Sequence, residues 1–229
     1  MKLLNTNAAN TKIAKTQKAS SDTPIRIASL SMMPNDTICP SSKAAGCQAD
    51  CLVSAGRGRF NNVAASRQAK TDFFMRDQEA FVAQLKREMH NFIKLCKRQD
   101  VQPVFRLNTM SDIKWESLLD MEGEFADAQF YDYTKRAARL GTTPSNYRLV
   151  FSYSGRNQFR TQVGVARKVQ VPIAVVFRGD DLPSEYLGRK VIDGDKSDLY
   201  NVESTDCVVG LRAKGKAKRN DNGFVVEVA

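Results

Sequence analysis

Apolar positions recur along this chain in two rhythms. Short runs such as Ile25-Arg-Ile-Ala-Ser-Leu30 are nearly continuously apolar, as strands are when both faces are covered. Elsewhere Phe81, Leu85, Met89, Phe92, Ile93 and Cys96 follow one another at spacings of three and four, the stripe of an amphipathic helix. That stripe lies in a long helical region, Asn62 to Gln99, with a break predicted near Asp77, a good N-cap residue. Cys96 sits on the stripe, so packing is its expected role.

Beyond the helix the rhythms alternate. Strands are expected at Val104–Asn108, Ala128–Thr134, Tyr147–Ser154, Pro172–Arg178 and Cys207–Ala213, with a short extra strand at Gly223–Val228. Helical stretches fall at Trp115–Leu119, Lys135–Leu140 and Asn157–Lys168, and Lys190–Ser204 reads as an acidic, glycine-containing loop. Six strands interleaved with helices predict the α/β class: a six-stranded, mainly parallel sheet or a partial (β/α)6 barrel. No repeat or Pro/Gly-rich linker divides the chain. One domain is expected over residues 24–229, preceded by a flexible N-terminal arm, residues 1–23.

Composition narrows the function classes. No apolar stretch is long enough to span a membrane, and the first residues lack the apolar core of a secretory signal. The expectation is a cytoplasmic protein. Its five cysteines then serve thiol or metal chemistry and not a disulfide framework. The net charge of +10 favours an anionic partner such as a nucleotide or nucleic acid. A solvated basic surface is the competing explanation. The single histidine, His90, argues against histidine-rich metal sites and Ser–His or Cys–His catalysis.

Chemistry concentrates in Cys39-Pro-Ser-Ser-Lys-Ala-Ala-Gly-Cys47-Gln-Ala-Asp-Cys51, directly after the first strand. Three thiolates in one loop can hold three corners of an iron–sulfur cluster, or most of a zinc site. The spacing C-x7-C-x3-C contains no C-x2-C pair and matches no common zinc template. Polar residues also gather where the strands end. They are Arg106, Asn108 and Asp112; then Asp132, Tyr133 and Lys135; then Ser152 and Ser154. In parallel sheets functional groups collect at the carboxyl ends of strands. If the strands run in sequential order, Arg106, Asn108, Asp112, Asp132 and Lys135 should converge beside the cysteine loop. A purely structural ion-pair network would look the same. No phosphate-binding glycine loop and no dinucleotide fingerprint is present.

A cysteine triad after the first strand, followed by alternating strands and helices, resembles the partial barrel of radical S-adenosylmethionine enzymes. There three cysteines bind a [4Fe–4S] cluster whose open iron chelates the cofactor's methionyl group. The usual spacing in that family is C-x3-C-x2-C, which this chain does not share. The motifs are also similar to a tailed-phage family known as gene product eighty-eight. The matching segments are Cys39-Pro40 with Cys47 and Cys51, Arg106-Leu-Asn108 with Ser111-Asp112, Tyr131-Asp-Tyr-Thr-Lys135, and Ala213-Lys-Gly215. The first resemblance implies Cys39, Cys47 and Cys51 as cluster ligands. Arg106, Asn108 and Asp112 would meet S-adenosylmethionine, and Asp132, Tyr133, Lys135, Ser152 and Ser154 would line the substrate side. The second implies a phage origin and so, if phage-encoded, the host cytoplasm as its location. The leading expectation is therefore an iron–sulfur enzyme of radical type acting on a nucleotide or nucleic acid. The alternative is a non-enzymatic zinc protein that binds nucleic acid or a host protein, with Asp50 or a remote cysteine as fourth ligand.

Overall fold

A computed structural model describes residues 1–7, 11–19, 24–49, 51–198 and 206–228. The expected strands form as β2 (Ile25–Leu30), β3 (Gln102–Arg106), β4 (Gln129–Thr134), β5 (Tyr147–Ser152), β6 (Ile173–Phe177) and β9 (Val208–Arg212). All six run parallel, each beside the next in chain order. Three strands were not expected: β1 (Leu4–Asn5), β7 (Glu185–Tyr186) and β8 (Arg189–Asp193). Among the described residues the sheet therefore has nine strands, not six, in the order β1-β2-β3-β4-β5-β6-β9-β8-β7. It is open, with β1 and β7 as its edges, and is not a closed barrel. β1 and β7 each pair antiparallel with their neighbour. The undercount has a physical cause. β1 and β7 have two residues each, and β8 is a half-exposed strand next to the edge, Arg-Lys-Val-Ile-Asp, without an apolar run. It occupies part of the stretch expected to be an acidic loop; residues 199–205 of that stretch lie outside the described residues.

Sequential parallel strands joined by right-handed crossovers carry their helices on one face. Here that face packs on α3 (Asn61–Arg76), α4 (Gln78–Arg98) and α5 (Arg160–Lys168). The stripe predicted for α4 is buried in full, and Phe92 meets Phe105 of β3 edge-on at 5.4 Å. The break between α3 and α4 falls at Asp77, whose side chain accepts from Ala80 N at 2.9 Å. The shorter helices shrink: Trp115–Ser117 and Ala137–Arg139 are single 3-10 turns, and Asn157–Phe159 is a 3-10 turn leading into α5. The extra C-terminal strand reduces to one parallel bridge, Val226 to Phe177.

The opposite face is covered by the segment expected to be an arm. Helix α1 (Thr11–Ala19) buries Ile13 against Ile27, Val104 and Tyr131. Leu3 and Leu4 are buried, their N–H groups donate to the Glu88 carboxylate, and Lys70 Nζ donates to Leu3 O at 2.8 Å. Over its described residues the N-terminal segment is docked. Its Lys, Thr and Asn content hid only a few apolar anchors, Leu3, Leu4 and Ile13. Residues 8–10 and 20–23 lie outside the described residues.

Candidate functional site

The cysteine loop leaves the carboxyl end of β2 and is pinned along its length. Asn35 Oδ1 accepts from Thr37 N and Ile38 N, and Asn35 O accepts from Cys39 N at 2.9 Å, so the loop starts with a side-chain-stabilised turn. A short helix α2 (Ser42–Ala45) follows, ended by Gly46 at φ 73°. Gly46 has no alternative there. A Cβ would lie 2.6 Å from both Arg156 Cδ and Asn222 Oδ1. Ile38 O accepts from Asp112 N at 2.7 Å, Ala45 O from Ser154 Oγ at 2.8 Å, and Gly46 O from Asn222 Nδ2 at 2.9 Å. These bonds tie the loop to the segments that follow β3, β5 and β9, which is the carboxyl edge of the parallel strands.

Cys39, Cys47 and Cys51 form no disulfide among the described residues and are half-buried, whereas Cys96 and Cys207 are buried. Burial pushes the Cys39 thiol up to about 12, helped by the negative charge of Cys47 and Asp112 and opposed by Lys135. The Cys51 thiol is also raised, first by burial, against backbone N–H groups of Val53 and Leu52 that favour its thiolate. Cys47 Sγ donates to Ser42 O at 3.7 Å and packs against the cluster of Ala213, Ala217, Phe224 and Val225. The loop brings three thiols within electrostatic reach of one another, and the Cys47 thiol is hydrogen-bonded through its sulfur. Its geometry is open. Among the described residues no three His, Cys, Asp or Glu side chains stand close enough to share one ion. Asp50, the proposed fourth zinc ligand, lies outside the described residues.

The rim residues do not converge as one group, because alternation along each strand sends them to different faces. Val104 and Arg106 face α1, as do Tyr131 and Tyr133; Phe130, Asp132 and Thr134 face the helices. Arg106 Nη1 pairs with Asp198 at 2.8 Å, and the same buried carboxylate takes Lys12 Nζ at 2.6 Å, Tyr133 OH at 3.1 Å and Tyr131 OH at 3.2 Å. The Arg106 and Lys12 charges hold the Asp198 carboxyl below the usual range in spite of its burial. Arg106 and Tyr133 thus belong to a network that clamps α1 to the sheet, away from the cysteines.

Asn108 and Asp132 are spent inside the fold. Asn108 Oδ1 accepts from Ser111 Oγ, Ile113 N and Trp115 Nε1, and its Nδ2 donates to Ile113 O. Asp132 accepts from Asn108 N at 2.7 Å and Tyr147 OH at 3.0 Å. Asp112 accepts from Thr134 Oγ1, Lys135 N and Arg139 Nη1, the last at 2.6 Å, while Arg139 also grips Glu116.

Three of the expected site residues do reach the cysteine loop. Asp112 and Lys135 lie within electrostatic reach of Cys39, and Ser154 bonds the loop backbone. Lys135 Nζ donates to Ser152 Oγ at 2.9 Å, with the ring of Phe224 at 4.7 Å and that of Phe159 at 5.8 Å. Its buried ammonium forms no ion pair with a carboxylate among the described residues. Sequence reasoning missed Lys12, Arg67, Arg139 and Asp198. Asp198 and Arg106 are ninety-two residues apart and carry no local signal of their pairing.

A protein-family model described as gene product 88 matches residues 1–227. No curated protein and no solved structure matches the chain.

Proposed function

We propose that this chain, which belongs to the gene product 88 family, is an iron–sulfur protein held together at Cys39, Cys47 and Cys51, and that it acts on an anionic nucleotide or nucleic-acid substrate. One observation carries the reading. The loop with three half-buried thiols is fastened to the carboxyl edge of a run of parallel strands, where such sheets place their ligands. The position of that loop is also what favours S-adenosylmethionine as a co-ligand. If both were bound, Cys39, Cys47 and Cys51 would hold the cluster, which would supply one electron, once reduced by an external donor, for radical formation from the cofactor.

The residues of the chain have separate tasks in this reading. The backbone N–H groups of Leu52 and Val53 stabilise the Cys51 sulfur as a thiolate. Lys135 brings a positive charge to Cys39 and offsets part of the anionic charge of the thiolates. Phe159 and Phe224 cover that ammonium and keep water from it. Because the three sulfurs stand apart, loading has to draw the loop inward, and the protons held on Cys39 and Cys51 have to leave.

The test is anaerobic reconstitution with ferrous iron and sulfide, followed by an absorption spectrum and metal analysis. A brown protein with about four irons per chain is expected. Cys39→Ala, Cys47→Ala and Cys51→Ala should each lose the metal, while Cys96→Ala keeps it. A colourless protein with one zinc would replace the cluster by the zinc alternative. Wild-type stoichiometry in all three loop variants would remove the loop from consideration altogether.

A further inference from the structure

β4 and β5 pair in parallel with Thr134 opposite Phe151, so the next two residues, Lys135 and Ser152, meet at the carboxyl edge of the sheet. Lys135 Nζ donates to Ser152 Oγ at 2.9 Å and stands 3.5 Å from Ser152 O. Lys135 is 8% exposed, while Ser152 is half-buried and reaches solvent. Buried charges are normally paired. This ammonium has the faces of Phe224 and Phe159, which offset part of its charge, and no carboxylate partner among the described residues. Asp112 accepts only the backbone N–H of Lys135, at 2.9 Å, and its charge is matched by Arg139 at 2.6 Å. An ammonium carries three donors, and two of them are directed at Ser152. A hydroxyl that accepts from an ammonium keeps its own proton to donate. Among the described residues neither the third N–H of Lys135 nor the O–H of Ser152 has an acceptor.

We propose that Lys135 and Ser152 form an oxyanion-binding site, which takes a phosphate or carboxylate group of a small ligand through the Lys135 ammonium and the Ser152 hydroxyl. This deepens the reading of an anionic substrate, and it does not depend on what the cysteines hold. It assigns the recognition of that anion to one pair of side chains and not to the general positive charge of the chain. Two adjacent strand ends hold the donors at a fixed spacing, at the edge where parallel sheets place their ligands. The half-buried side of Ser152 is the entrance. Phe224 and Phe159 back the ammonium on its other side, and a charge screened from water attracts an anion more strongly. Ser154 is not a third donor, because its hydroxyl is spent on Ala45 O.

The experiment titrates reduced, metal-free protein with inorganic phosphate and, separately, with acetate, sodium chloride holding the ionic strength constant. The thermal midpoint is followed, since a ligand that binds only the folded chain raises it by mass action. Wild type should show a saturable rise with at least one probe. A stronger response to phosphate identifies the ligand group as a phosphate, and a stronger response to acetate identifies it as a carboxylate. Lys135→Met should weaken that binding about 10- to 100-fold, the loss expected for a charged hydrogen bond. Ser152→Ala, which leaves the ammonium in place, should weaken it about 3- to 10-fold. If Lys135→Met does not fold, Ser152→Ala decides alone. Wild type without a saturable response to either probe overturns the site. Variants that bind like wild type also overturn it, because the anion would then be held by the chain's general positive charge. Wild type that binds neither probe yet takes up iron removes this site and leaves the cluster reading standing. Wild type that binds a probe at this pair yet takes up no metal supports the site and removes the cluster reading.

Discussion

Asp132 was expected to face a substrate, and its surroundings give it a different consequence. It is enclosed in the helix-side core, where burial disfavours its charged form, while the N–H of Asn108, the positive charge of Arg106 and the hydroxyl of Tyr147 favour it. Burial wins, and the carboxyl is pushed up to about 7. The sign of the linkage follows. Between the ordinary carboxylate range, near 4, and pH 7 the unfolded chain releases this proton and the folded chain keeps it. Stability therefore falls as pH rises through that window and levels off above it. Asp198 slopes the other way: held below the usual range by Arg106 and Lys12, it contributes above that range, and the contribution is lost as pH falls through its folded value. Asp132→Asn keeps an oxygen for Asn108 N and removes the titration. The thermal midpoint of wild type should decline from about pH 4 to pH 7 by this term, and in the Asn variant most of the decline should vanish. Parallel profiles for the two proteins would show that Asp132 is not the group responsible. The types of these residues were visible in the sequence. Their partners were not, because alternation along β3 and β4 separates Arg106 from Asp132, and only the folded chain brings Asp198 to Arg106.

The cysteine loop shows how a short element is held by what it touches. α2 has only four residues, too few for an isolated helix; its C-terminal end is bonded by Ser154 and Asn222, and Asp112 holds Ile38 in the turn before it. Gly46 is the joint: it sits at φ 73° with Arg156 and Asn222 against its Cα. Gly46→Ala should cost about 1–3 kcal/mol for the left-handed backbone, with a further penalty for the clash. It should also release the loop, so that the modification rate of Cys39 and Cys47 by a thiol reagent rises with no change in Cys96. Unchanged stability and unchanged thiol reactivity would mean that the loop is not braced at this point. Elements of this size left little trace in the sequence. The α4 stripe spans twenty-one residues and the central strands are buried on both faces, so their patterns were legible. Helical turns were legible near Trp115 and Ala137, though not their shortness; the two-residue edge strands and the four-residue α2 hold their shape through tertiary bonds, and no local period encodes that.

At the scale of the molecule, strands in chain order leave the sheet open, with helices on one face, α1 across part of the other and the cysteine loop at the carboxyl edge. Parallel α/β architecture could be read from the alternation of strands and helices, because each strand needed cover on both faces. The opening of the sheet could not, since it depends on edge strands too short and too polar to register. No described helix is long and apolar enough to cross a membrane. The remaining global property is the charge of +10. Beside the cysteine loop, Arg59 is exposed and Phe60 and Leu52 stand about half in solvent. An exposed ring next to a cation is the combination on which single-stranded nucleic acids stack, while the wider positive field collects their phosphates. Neither feature reads a base edge, so the affinity expected for a single-stranded oligonucleotide is phosphate-dominated and tolerant of sequence. Each phosphate neutralised releases counterions, and with about five contacts the log–log slope of affinity against salt should be about −3.5. Phe60→Ala should weaken binding at every salt concentration and leave that slope unchanged, because stacking releases no counterions. Fluorescence anisotropy with a labelled oligonucleotide between low and high salt separates the two contributions. Affinity that holds steady across the titration would reject a phosphate-dominated interface, and a Phe60→Ala protein that binds like wild type would move the nucleic acid away from the mouth of the cysteine loop.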